Sequence, residues 1–115
     1  MYDQTEYLQH IANIGDGDTT VASATNVTTS TTQVLSNRGA SGYQRHYAYI
    51  INDSDTVIYL KLASSAVLNQ GIRLNANGGV YTIDFSNRFN GAVNAIHGGT
   101  GNKVLTWLEA VDLTP

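Results

Sequence analysis

Hydrophobic and polar residues alternate with a period of two over most of the chain. In the clearest segment, Ile58, Leu60 and Leu62 fall on one face of a strand, while Tyr59 and Lys61 fall on the other. Short sequences rich in Asn, Asp and Gly interrupt the alternation about every ten residues and supply the conformations that tight reversals need. The pattern predicts an all-β fold of about seven strands, an antiparallel β-sandwich or jelly-roll-like domain.

Other segments show the same alternation. Residues 43–51 and 104–108 are predicted strands, and Tyr81, Ile83 and Phe85 are predicted to share one face of another strand. The short distances between turn sequences leave no room for helical crossovers, so the strands are expected to pair antiparallel.

The first fourteen residues have a helical pattern instead. Asp3 and Glu6 have the spacing of a capping box, and Gly15 is placed to end a helix over residues 3–14. Three helical turns are marginal in water, so three alternatives stay open: the segment packs on its own domain, becomes ordered against a neighbour, or is disordered. The apolar side of the predicted helix consists of Tyr7, Leu8, Ile11 and Ile14.

A stretch rich in Thr, Ser, Ala and Val follows the predicted helix over residues 19–33. We interpret its beginning as an extended connector that becomes a first strand near Val27. The chain is thereby divided into an N-terminal arm, residues 1–26, and a β-sandwich domain, residues 27–115.

Composition narrows the function classes. Only 13% of the 115 residues are charged, and six Lys and Arg against nine Asp and Glu give a net charge of −3, which argues against nucleic acid as a partner. No apolar run approaches the roughly 20 residues needed to span a bilayer, so no membrane is expected. Cysteine is absent, which excludes disulfides and cysteine-based metal sites.

The residues that could support catalysis are scattered. His10, His46 and His97 lie in three different contexts, and no pair of them has metal-ligand spacing. Asp53 and Asp55 lie in a turn, where bonding to the local backbone is their simplest role. No Gly-x-Ser-x-Gly nucleophile motif is present. We therefore expect a protein that is not an enzyme and that holds no metal or cofactor.

Tyrosines are concentrated in one predicted strand. Tyr43, Tyr47 and Tyr49 are predicted to share one face together with Arg45. Three interpretations stay open: a core face with its hydroxyls bonded at the rim, a subunit interface, in which Tyr and Arg are enriched, or a surface on which a sugar ring stacks.

A succession of strand and turn sequences begins at Arg45. In order, they are Ile50-Ile51-Asn52, Ser54, Ile58-Tyr59-Leu60-Lys61-Leu62, Ala66-Val67-Leu68-Asn69-Gln70-Gly71-Ile72-Arg73-Leu74, Asn77-Gly78-Gly79-x-Tyr81 and Phe89-Asn90-Gly91-Ala92-Val93-Asn94-Ala95-Ile96-His97-Gly98-Gly99-Thr100-Gly101. This succession resembles small β-rich structural proteins of tailed bacteriophages, in particular head decoration (cement) proteins and related fibre-base modules. The resemblance covers about half of the chain and excludes residues 1–30.

The resemblance implies a non-enzymatic protein on the outer surface of the virion capsid. Proteins of this type commonly bind as homotrimers and clamp adjacent subunits of the major capsid protein. In that setting we expect Tyr7, Leu8, Ile11 and Ile14 to contact the capsid, because a chain with so few charges is better attached by an apolar helix. The expected subunit interface consists of Tyr43, Arg45, Tyr47 and Tyr49.

The alternative function is a carbohydrate- or receptor-binding module of a phage tail or fibre. Sugar binding usually needs an exposed aromatic ring beside carboxylate or amide groups. Trp107 could supply the ring, with Glu109 two residues further along on the same face. A lone Trp in a terminal strand is more often part of a core.

Overall fold

The computed structural model of the protein describes residues 19–39 and 44–111. These residues form eight strands. The strands are β1 (Thr19–Val27), β2 (Thr32–Leu35), β3 (Arg45–Asn52), β4 (Ile58–Leu62), β5 (Ile72–Leu74), β6 (Gly79–Ile83), β7 (Val93–His97) and β8 (Lys103–Val111). In this part of the chain there is no helix long and apolar enough to cross a membrane.

The strands form two four-stranded sheets. The first sheet has the order β1-β8-β3-β6 and the second has the order β2-β7-β4-β5. Every neighbouring pair is antiparallel. This nesting, in which the first strand lies beside the last and the second beside the seventh, is the strand order of a jelly roll. The predicted all-β sandwich is therefore confirmed.

The core lies between the sheets and is built from the inward-facing side of each. Ile50 and Leu105 of the first sheet and Ile58 and Leu60 of the second are fully buried. Burying a side chain of this size contributes about 1.5–3 kcal/mol relative to leaving it exposed. The alternation predicted for residues 58–62 is confirmed, because Ile58 and Leu60 are buried and Leu62 packs against the core.

Asn52 joins the two sheets near one end of the sandwich. Its buried side-chain amide donates to the carbonyl oxygens of Leu74 at 3.1 Å and Thr56 at 2.8 Å. Its Oδ1 accepts from the backbone N–H and the hydroxyl of Ser54. An Asx turn therefore forms in this loop with Asn52 as its acceptor, and Asp55 pairs with Lys103 at 2.9 Å.

The start of the sandwich differs from the expectation. Residues 19–26, which were expected to be a connector, belong to β1, which pairs with β8 along its whole length from Thr19↔Val111 to Val27↔Lys103. The predicted domain boundary at residue 27 therefore lies inside a strand. The predicted helix over residues 3–14 falls outside the described residues.

Phe85 also differs from the expectation. β6 ends at Ile83, and Asp84 begins a turn in which its Oδ1 accepts from the backbone N–H and the hydroxyl of Ser86. Since the strand stops before Phe85, this ring leaves the inward-facing side and is 55% exposed. Tyr81 and Ile83 do share a face, as predicted, and that face points inward.

Candidate functional site: the outer face of the first sheet

One side of the first sheet faces away from the core, and none of its strand residues is charged. Paired residues share a face, so the register defines this surface. We call it the outer face. It consists of Thr20, Ala22, Ala24 and Asn26 of β1, Val104, Thr106, Leu108 and Ala110 of β8, Tyr47, Tyr49 and Ile51 of β3, and Val80 and Thr82 of β6.

Large apolar side chains of the outer face reach solvent. Val80 is 56% exposed, Val104 is 41% exposed and Tyr47 is 37% exposed. Ile51 and Leu108 are half-buried between them. Contiguous exposed apolar groups of this kind mark interaction surfaces on soluble proteins.

The second sheet has a different outward-facing side. Gln33, Asn94 and Lys61 lie in register there, and Tyr59 pairs with Arg73. The positive charges of Lys61 and Arg73 and the amides of Gln33 and Asn94 are typical of a surface that is exposed to water. The two sides of the sandwich are therefore chemically distinct, and only the first sheet presents an uncharged surface.

Tyr47 and Tyr49 lie together on the outer face, as predicted. Tyr47 pairs with Ala110 and Tyr49 with Leu108, and the two rings meet edge to face with centroids 6.3 Å apart and an interplanar angle of 73°. Tyr43 falls outside the described residues. Whether these tyrosines contact another subunit stays a prediction.

Arg45 does not share this face, and that prediction is wrong. Arg45 pairs with Val111, whereas Tyr47 pairs with Ala110, so the single residue His46 is a bulge between two consecutive positions of β8. The extra residue reverses the phase of the alternation and turns Arg45 to the inner side. Its side chain is fully buried and offers no surface for a subunit contact.

Inside the sandwich, Arg45 and Glu109 form a buried ion pair with an Nε···Oε2 distance of 2.7 Å. Arg38 donates to Oε1 of the same carboxylate at 2.7 Å. Three more guanidinium N–H groups of Arg45 donate to backbone carbonyls. These belong to Ser36, Phe89 and Gly91. The cluster therefore fastens the segment after β2 and the loop before β7 to β3 and β8.

Electrostatics keep the cluster charged. Burial raises the pKa of the Glu109 carboxyl, but hydrogen bonds and charge from Arg38 and Arg45 outweigh it and hold that pKa below its ordinary value. Burial lowers the pKa of Arg45, although Glu109 opposes the effect, and a guanidinium still stays protonated. The hydrogen bond to Glu109 raises the pKa of Arg38 more than burial lowers it.

Trp107 and Glu109 share one face, as predicted, but it is the inner face. The indole packs against the core, and its Nε1 donates to the Thr25 hydroxyl at 3.0 Å. Glu109 is buried in its ion pair. The pair therefore presents no exposed aromatic surface beside a free carboxylate, which is what a sugar site of the expected kind requires.

His97 has a structural role. Its Nδ1 accepts from the backbone N–H of Gly99, which leaves Nε2 to donate to the carbonyl of Gly101 at 2.8 Å. Both ring nitrogens thus hold the turn between β7 and β8. Among residues 19–39 and 44–111, no group of three or more His, Asp and Glu side chains is placed to hold a metal ion.

The sequence matches no family model, and no curated protein and no solved structure matches it. Jelly rolls occur in viral capsid proteins, in lectins and in cupins, so the topology alone does not choose a function. A proposed function for this protein therefore has to rest on the chemistry of its surfaces.

Most of the outer face could not be located from sequence. Val80, Val104 and the alanines of β1 have no distinguishing local pattern, and only the register of four strands brings them together. Arg45 and Glu109 are separated by 64 residues, and no spacing rule connects them.

Proposed function

We propose that this chain is a non-enzymatic virion structural protein, a decoration or cement protein that binds the outer surface of a tailed-phage capsid as a homotrimer. The observation that supports the proposal is the uncharged outer face of the first sheet. A small sandwich that keeps exposed valines and a tyrosine pair in water gains by covering them. The resemblance of residues 45–101 to phage head decoration proteins supplies the setting.

In this proposal the outer face is the subunit interface. Tyr47 and Tyr49 are its aromatic centre, and Val80 and Val104 extend the apolar area on either side. The Arg45–Glu109 ion pair lies behind β3 and stiffens it. The polar second sheet, with Lys61 and Arg73, faces solvent.

The contact with the major capsid protein is assigned to Tyr7, Leu8, Ile11 and Ile14. These four side chains form the apolar side of the helix predicted from the sequence. Several such segments in one oligomer multiply a modest single-site affinity through effective concentration.

The test is the mass of the protein in solution and its binding to undecorated capsids. We expect the wild-type protein to be trimeric by native mass spectrometry. Val80→Lys places a charge in the apolar area beside the tyrosine pair and should weaken association by at least about tenfold, since burying an unpaired charge costs well over 1.4 kcal/mol. The matched control is Gln33→Lys, which adds the same charge to the outward-facing side of the second sheet.

Two results would count against the proposal. One is a wild-type protein that is monomeric at micromolar concentration and occupies particles as isolated copies. The other is equal weakening of association in Val80→Lys and Gln33→Lys, because the outer face would then have no special role in the subunit interface. An electron cryomicroscopy map of the decorated head would locate the chain directly.

A further inference from the structure

The four edges of the two sheets are unequal. β2, β5 and β6 have four, three and five residues, and β2 is also bulged against β7. Natural proteins protect sheet edges with short strands, bulges, charges or proline. Three edges of this sandwich carry one or more of these protections.

β1 carries none of them. It is nine residues long, its sequence Thr-Thr-Val-Ala-Ser-Ala-Thr-Asn-Val contains no charge and no proline, and its register with β8 is unbroken. Within residues 19–39 and 44–111 it pairs with β8 on one side and with no strand on the other. The free side is an edge of backbone donors and acceptors about 30 Å long.

The side chains of β1 also lack cover. Val21 and Ser23 are in register with Glu109 and Trp107 and so point to the inner side, yet both are exposed, Val21 by 44%. The second sheet therefore does not extend beneath this edge. An added strand would cover Val21 as well as satisfy the backbone of β1.

From these observations we infer that β1 is the seam of a symmetric dimer, in which it pairs antiparallel with β1 of a second copy and Ser23 lies on the two-fold axis. Centring on Ser23 is the register in which all nine residues of each copy are paired. Each copy's Ala22 then faces Ala24, Val21 faces Thr25 and Thr20 faces Asn26. Every pair combines uncharged residues, and each occurs twice, as a two-fold interface requires.

The same register favours a second copy over an unrelated partner. The residues next to the axis are small on both strands, so the two strands meet without a clash. β1 contains no charged residue, so its partner needs no complementary charge. The two first sheets become one eight-stranded sheet, and the outer face runs across the seam through Ala22 and Ala24. The seam uses the edge of the sheet rather than the outer face, so it can join copies that are already associated through Tyr47 and Tyr49.

The seam buries little surface, so the dimer is expected to be weak. A covalent cross-link that traps the dimer is therefore the best way to detect it. The protein contains no cysteine, and Ser23→Cys therefore introduces the only thiol. Across the axis the two Cα atoms are expected about 4.5–5.5 Å apart, within the range that a disulfide accepts. Val21→Cys in the same strand is the matched control, because Val21 and its symmetry mate are about 13 Å apart in this register.

We expect Ser23→Cys to give a disulfide-linked dimer at least about tenfold faster than Val21→Cys under mild oxidation, because only the former meets the distance requirement. The Val80→Lys background should leave this rate unchanged, which separates the seam from the proposed subunit interface. Hydrogen exchange of the wild-type protein supplies a measurement without substitution: amides of β1 that point away from β8 should gain protection as concentration rises.

Three results would overturn the inference. Equal rates for the two cysteine variants would mean that collision, not pairing, brings the thiols together. A faster rate for Val21→Cys would move the axis away from Ser23. Protection of the β1 edge that is already complete in dilute monomer would show that residues 1–18 of the same chain cover it.

Discussion

Within residues 19–39 and 44–111, Glu109 is the carboxylate of the buried cluster, and it faces two guanidinium groups, from Arg38 and Arg45. Glu109→Gln keeps the shape of the side chain but leaves Arg45 buried without a counter-charge. Removing one partner of a buried pair costs about 3–5 kcal/mol, and we expect a loss of that order in the free energy of unfolding measured with urea. The control is Asp55→Asn, which removes an exposed partner of Lys103 and should change stability little.

Stability should also fall in acid for the same reason. The pKa of Glu109 is depressed in the folded protein, so its contribution is fully present above the pKa of an unfolded glutamate, about 4.3, and is lost as the pH falls through the lower folded value. Urea midpoints between pH 7 and pH 3 measure this. The stability difference between the wild type and Glu109→Gln should shrink toward pH 3; a difference that stays constant would show that the carboxylate charge is not the stabilising feature.

At the scale of elements, Gly71 sets the approach of the chain to β5. Its φ is +89°, and a Cβ at this position would clash with the carbonyl oxygen of Leu60 in β4. Gly101 has a similar φ of +71° but open space around it. Gly71→Ala should therefore destabilise the protein by clearly more than the roughly 1–2 kcal/mol that the left-handed conformation alone costs in Gly101→Ala. Urea unfolding of both variants gives the comparison, and equal losses would mean that β5 can move away from β4.

Strands with a strong alternation of apolar and polar residues could be predicted from the sequence. β1 and Arg45 show why other parts of the fold could not. β4 was predicted because burial imposes a period of two on Ile58, Leu60 and Leu62. β1 was missed as a strand because an edge with little cover on either side needs no large apolar residues. Arg45 was assigned to the wrong face because one bulged residue, His46, changes the phase, and a bulge leaves no mark in the local pattern.

At the scale of the molecule, the described sandwich is closed by β1 from Thr19 onward. Deletion of residues 1–14 therefore leaves every described strand intact. We expect the truncated protein to keep the β-sheet contribution to its far-ultraviolet circular dichroism and its Trp107 fluorescence, while binding to undecorated capsids falls sharply because the apolar side chains of Tyr7, Leu8, Ile11 and Ile14 are gone. Full occupancy by the truncated protein would place the capsid contact on the β domain instead.

The pairing of β1 with β8 has a consequence for biosynthesis. The earliest and the latest of the eight strands are neighbours, and Thr19 finds its partner only when Val111 has been made. Contacts so distant in sequence slow folding, because a long loop must close before they form. On the ribosome, the backbone groups of β1 therefore stay unpaired on both sides until β8 has left the exit tunnel. A strand in that position benefits from being rich in Thr, Ser and Ala rather than in Ile, Phe and Leu, since small and hydroxylated side chains give a nascent chain fewer opportunities to aggregate.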